Sequence, residues 1–159
     1  MIAQISVLLR VKQLKEEQAF RAMNAKRQQV AEALAAVEAA RSRMQESAAT
    51  LPAREDAIYD EILQRVVGLT AIDEVKARVV ALEKEHTKLV DAYERAAHIH
   101  AKLAEELQAA VQAYRKTVKD RDKYVILTDQ LRAEHEAQLA QREETEIEDI
   151  FSTRRRRAA

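Results

Sequence analysis

Cysteine and tryptophan are absent from this chain, and glycine and proline occur once each among its 159 residues. Without cysteine there is no disulfide, no thiolate metal site and no thiol nucleophile, and a reducing compartment suits the chain. One glycine and one proline cannot build strands joined by tight turns, nor the glycine-rich loop that cradles a phosphate. Two phenylalanines and four tyrosines are too few aromatics for a large globular core. No long apolar run occurs either. The stretch from Met1 to Leu9 is too short to span a bilayer, and Arg10 and Lys12 follow it with no small-residue cleavage pattern, so it is not expected to be a signal peptide. Charge of one sign is also missing: 27 Lys and Arg balance 27 Asp and Glu, and the total names no partner.

What remains is alanine, leucine and charge, the composition of long helices. From Ile72 to Tyr114 one face carries Ile72, Val75, Val79, Leu82, His86, Leu89, Tyr93, Ala96, His100, Leu103, Leu107, Ala110 and Tyr114. Steps of three and four alternate without a slip for about six heptads, which is a coiled-coil seam. Toward the N-terminus the pattern is less regular. Val7, Val11 and Leu14 begin a stripe, Phe20 and Met23 resume it one step out of phase, and Val30, Leu34, Val37, Arg41, Met44, Ala48 and Leu51 continue it. The phase change predicts a heptad discontinuity. Pro52 predicts an end or kink at 50–53. Beyond it, Ile58, Ile62 and Val66 form one row and Tyr59, Leu63 and Val67 the next. Such a face is either packed by the facing helix or open to a partner.

Gly68-Leu69-Thr70 is the one convincing turn, with Gly68 as a left-handed helix stop and Thr70, followed by Asp73, at N-cap spacing. The expected fold is therefore all-α. It is a single elongated domain over 1–159, a long antiparallel two-helix coiled-coil hairpin with a helix over 3–67, a turn at 68–70, a helix over 71–148 and a tail over 149–159. Pairing of the same helices between two chains is the alternative. In the hairpin, Phe20 and Met23 lie near Val118 and Tyr114, and residues beyond about Gln138 outrun the first helix. There Ile147, Ile150 and Phe151 make a short apolar face, which either folds back onto Ile2 and Ile5 or stays open. Arg154, Arg155, Arg156 and Arg157 form a basic block. That block is either a solvated end or a site for an acidic protein groove or phosphates.

No catalytic or metal constellation emerges. Glu83 and His86 have E-x-x-H spacing, but a carboxylate-bridged metal pair needs a second such motif, and none exists. His86, His100 and His135 share the seam phase and are expected to set register, destabilising the fold as pH falls through about 6.5 if buried neutral. No cofactor, metal or small-molecule substrate is expected. The arginine block lacks the aromatic stacking partners of a nucleic-acid site.

The opening Val7-Leu8-Leu9-Arg10-Val11-Lys12-Gln13-Leu14-Lys15-Glu16-Glu17-Gln18-Ala19, the two-helix layout and the acidic-then-arginine ending resemble the YscO/FliJ family of type III secretion and flagellar export, closest to the YscO branch. The resemblance implies a non-enzymatic cytoplasmic stalk. It would insert into a hexameric export ATPase, link it to the export gate, bind chaperones of secreted substrates in some members, and meet the membrane through partners only. On that basis Arg10, Lys12, Lys15, Arg21 and the tail would face the ATPase, and Ile58, Ile62, Leu63, Val67 and Leu69 the gate or a chaperone. A general coiled-coil scaffold or client-binding chaperone, with apolar patches at the turn and tail, is the alternative function.

Overall fold

The computed structural model describes residues 1–159 and contains two helices, α1 (Ile2–Asp60) and α2 (Leu69–Ala158), packed against each other as a helical hairpin. The chain divides into two compact units, one made of Met1–Met23 with Ala110–Ala159, the other of Asn24–Ala109.

In the unit of Asn24–Ala109 the helices run antiparallel. Lys26 pairs with Glu106, Ser47 with His86 and Glu61 with Arg78, so rising numbers on α1 meet falling numbers on α2. The seam of α1 is Lys26, Val30, Ala33, Val37, Ala40, Met44, Ser47, Leu51, Arg54 and Ile58, buried or half-buried in unbroken steps of four and three, with Glu55 half-buried beside it. On α2 the seam from Ile72 to Leu107 is the expected one, with Val75 and Val79 its most buried members. Leu34 and Arg41 are not in the seam. Leu34 is exposed, and Arg41 lies beside Ala40 with its guanidinium 5.7 Å from the Tyr93 ring and bonded to the Tyr93 hydroxyl.

The unit of Met1–Met23 and Ala110–Ala159 has the same antiparallel order, but its seam is not the expected one. Ile2, Ile5, Leu9, Lys12, Glu16, Ala19 and Met23 face α2 in steps of three and four with no phase change. The expected heptad discontinuity is therefore absent. It came from following the apolar residues Val7, Val11 and Leu14, all of which are exposed. Register also differs by about one helical turn, since Phe20 stacks on Tyr114 rather than reaching Val118, with ring centroids 5.5 Å apart. From α2, Tyr114, Thr117, Arg121, Tyr124, Thr128 and Leu131 complete the seam, and Thr128 is the most buried side chain of the chain at 1% exposure. Its hydroxyl donates to the Tyr124 carbonyl, which removes the cost of burying it.

The ends of the helices depart from expectation in three places. First, α1 stops at Asp60 instead of 67, so Ile62, Leu63, Val66 and Val67 belong to the connection and not to a two-row helical face. The stop is made by Gln64, whose φ of 61° is left-handed, while Gly68 has no positive φ. Second, Gly68 instead opens α2: its carbonyl accepts from Ala71 and Ile72 N–H, so Thr70 sits inside the first turn and not at the cap. Third, α2 runs to Ala158 instead of 148. No breaker interrupts it, and Arg155, Arg156 and Arg157 in its last turn suit the negative end of the helix dipole.

Pro52 lies inside α1. It cannot donate to the Ala48 carbonyl, and polar side chains gather on the turn before it. Thr50 donates to the Glu46 carbonyl, and Arg54 donates to both the carbonyl and the hydroxyl of Ser47.

Candidate functional site

Ser47 is the polar centre of the 24–109 unit. It is 8% exposed, and its Oγ lies 3.1 Å from an Arg54 guanidinium nitrogen and 2.9 Å from His86 Nδ1. The sequence scatters Ser and His along the helices, and the fold brings this one pair together. The Ser47 oxygen accepts from Arg54, and no carboxylate hydrogen-bonds the imidazole to orient it as a base, so the pair lacks the third group of an activated nucleophile. Beside it is an open groove of about 660 Å³ whose lining includes Arg43, Glu46, Thr50, Ala57, Glu85 and Leu89. The other histidines are not buried either: His100 is half-buried, and His98 and His135 are exposed. No three His, Asp or Glu side chains converge in metal-binding geometry.

Surfaces, not cavities, carry the candidate site. The outer face of α1 in the 1–23 and 110–159 unit presents Val7 at 63% exposure with Val11 and Leu14, opposite the seam. Arg10, Lys15 and Arg21 are exposed around this stripe. Lys12 is not among them. It is half-buried in the seam with its ammonium 5.2 Å from the centre of the Tyr124 ring, so it is spent inside the fold. Arg121 bonds Glu16 at 3.1 Å and Asp122 at 2.8 Å; the hydrogen bond to Asp122 first, and then the charge of Glu16, raise its pKa above the ordinary guanidinium value.

At the connection of the other unit, Ile58, Ile62 and Val67 are half-buried, whereas Leu63, Val66 and Leu69 are exposed, Leu69 at 80%. The expected patch is therefore partly consumed by packing, and Val66 joins it. Arg78 grips both oxygens of Glu61 there, holding that carboxyl below the ordinary carboxylate value.

From Arg132 onward every residue of α2 is exposed. The partnerless segment thus begins earlier than Gln138. Ile147, Ile150 and Phe151 do not fold back onto Ile2 and Ile5; they stand on a continuing helix, Phe151 at 63% exposure. Arg154 to Arg157 continue that helix.

The family model of the type III secretion protein YscO matches residues 5–153. Among solved structures, the crystal structure of the type III secretion protein YscO from Vibrio parahaemolyticus superposes with a TM-score of 0.88 at 21% identity, covering 93% of each chain. None of the curated proteins compared with the chain matches it. No helix is long and apolar enough to cross a membrane.

Proposed function

Because this chain belongs to the YscO family of type III secretion proteins, we propose that it is the stalk that couples the hexameric export ATPase to the export gate, working on the cytoplasmic side. The observation that carries this is the apolar stripe of Val7, Val11 and Leu14 on the outer face of α1, ringed by Arg10, Lys15 and Arg21. A face that is apolar, cationic and turned away from the chain's own second helix suits a larger protein surface. The expected basic set changes accordingly, with Lys12 leaving it. The test measures ATPase turnover and hexamer assembly with the wild-type chain and with Arg10, Lys15 and Arg21 all changed to Glu. Stimulation should need roughly tenfold more of the variant or disappear. Absence of binding and of any change in turnover by the wild-type chain would end this proposal.

The exposed Leu63, Val66 and Leu69 favour a second reading, in which the connection holds the gate or a client-bearing chaperone. In that case Leu63→Asp with Leu69→Asp abolishes client binding and leaves the ATPase effect intact.

A further inference from the structure

The exposed end of α2 carries a pattern that neither helix seam explains. Ile147, Ile150 and Phe151 lie on one face, 54%, 63% and 63% exposed, in a segment with no helix opposite. From Glu143 to the end of the patch the charges are acidic: Glu143, Glu144 and Glu146 precede it, and Glu148 and Asp149 lie within it, between Ile147 and Ile150. On the C-terminal side of the patch they are Arg154 to Arg157. Charge therefore reverses along a single unbroken helix, with the apolar patch at the reversal.

We propose that this segment, from Glu143 to Ala158, pairs with the same segment of a second copy of the chain, antiparallel, about a two-fold axis passing between Ile150 and Phe151. Around that axis Ile150 of each copy stands against Phe151 of the other. In this register Glu144 of each copy lies against Arg157 of the other and Glu146 against Arg155, while the aliphatic stem of Arg154 covers Ile147. Such a match is isologous, so one sequence satisfies both halves. A parallel pair would set arginine block on arginine block and carboxylates on carboxylates, which like-charge repulsion disfavours. The charge pattern thus selects both the occupant and its direction.

Size sets the strength. The overlap is about 24 Å of helix, and one face of it supplies far fewer than the roughly 20–30 residues a side of a standard interface, so the pairing is reversible and responsive to concentration. Its ionic part is exposed and screened by salt. The pairing occupies the tail that the family resemblance assigns to the ATPase-facing end, but not the α1 stripe that carries the proposed ATPase contact.

Sedimentation equilibrium of the full chain tests it. At low ionic strength the weight-average mass should rise toward twice the monomer's with a dissociation constant of roughly 10 to 100 μM, and raising salt to about 0.5 M should weaken it several-fold. Reversal of the four arginines to Glu should abolish the dimer, as should reversal of Glu143, Glu144 and Glu146 to Lys. Mixing these two variants should restore it, which loss of fold cannot imitate. The absence of cysteine permits a directional readout. Spin labels on Ala140→Cys should lie about 30 Å apart in the antiparallel pair, against about 10 Å in a parallel one. A chain monomeric at about 1 mM, a dimer indifferent to both reversals, or a label distance near 10 Å would each overturn the proposal. The second of these outcomes would point instead to helices exchanged between chains or to pairing through the α1 stripe.

Discussion

The two units use one seam geometry and fill it with different chemistry. In the 24–109 unit, burial and apolarity mostly coincide: Val37, Val75 and Val79 are buried, Val30, Met44 and Leu82 lie in the same seam, and Lys26, Ser47, Arg54 and His86 are its polar members. In the unit of Met1–Met23 and Ala110–Ala159 they separate. Lys12, Glu16, Thr117, Arg121 and Thr128 face inward while Val7, Val11 and Leu14 face outward. Hydrophobic burial stabilises the first unit. In the second, an ion pair, a cation over an aromatic ring and an aromatic pair add to the packing of Ile2, Ile5, Leu9 and Met23, at about 0.5–1.5 kcal/mol each at most. A unit that turns apolar surface outward and buries charge is arranged for association before stability.

The most forceful way to break this contrast is to place one carboxylate in each unit. Val79→Asp, with a buried charge in the seam, should cost more than about 3 kcal/mol in chemical denaturation, whereas Val11→Asp should stay within about 0.5 kcal/mol. Equal losses would mean that the outer stripe is structural. Next, Tyr114→Ala removes the partner of Phe20 and should cost about 2 kcal/mol. Hydrogen exchange should then accelerate within 1–23 and 110–131 and leave 24–109 protected. Acceleration throughout would show a single cooperative unit. Smaller still, Gln64→Gly relieves a left-handed glutamine and should add about 1 kcal/mol to stability, read as a raised Tm.

The smallest effect concerns acid. A hydrogen bond from Lys26 holds the Glu106 carboxyl below its ordinary value of 4.5, as Arg78 does for Glu61. A lowered folded-state pKa means that the unfolded chain takes up protons first. This stabilisation is therefore complete above about 4.5 and is lost as pH falls through the lowered value. Glu106→Gln should flatten the fall in Tm between about pH 5 and pH 3. An unchanged slope would assign acid lability elsewhere.

Where apolarity and burial coincide, the fold was legible. The run from Ile72 to Tyr114 named its own inward face residue by residue, and the scarcity of glycine and proline left long helices with one turn between them, paired within one chain or between two. Where they part, tracking apolar residues selected the wrong face. Val7, Val11 and Leu14 lie at positions c and f of a heptad whose a and d are Ile2, Ile5, Leu9 and Lys12. The signal available was the regularity of the three-four step itself. Continued back from Met44 through Ala40, Val37, Ala33, Val30, Lys26 and Met23, it reaches Glu16 and Lys12 without a slip. Gly68 misled for another reason. Glycine favours a left-handed stop but does not monopolise it, and here the N–H groups opening α2 use its carbonyl. Of the candidate surfaces, the tail was visible as unpartnered from the relative lengths of the helices. The outward stripe became visible only once the seam was located.

The three seam tyrosines of α2 bear on helix register. A repeating heptad seam built of alanine and valine resembles a rack with identical teeth, on which one helix can jump seven residues and mesh again. Tyr93, Tyr114 and Tyr124 meet Arg41, Phe20 and Lys12, three unlike neighbours. A jump of seven in one direction sets them against Ala48, Arg27 and Ala19; in the other, against Leu34, Gln13 and Ile5. Either jump of seven separates each tyrosine from its present neighbour, so these contacts key the helix register within each unit.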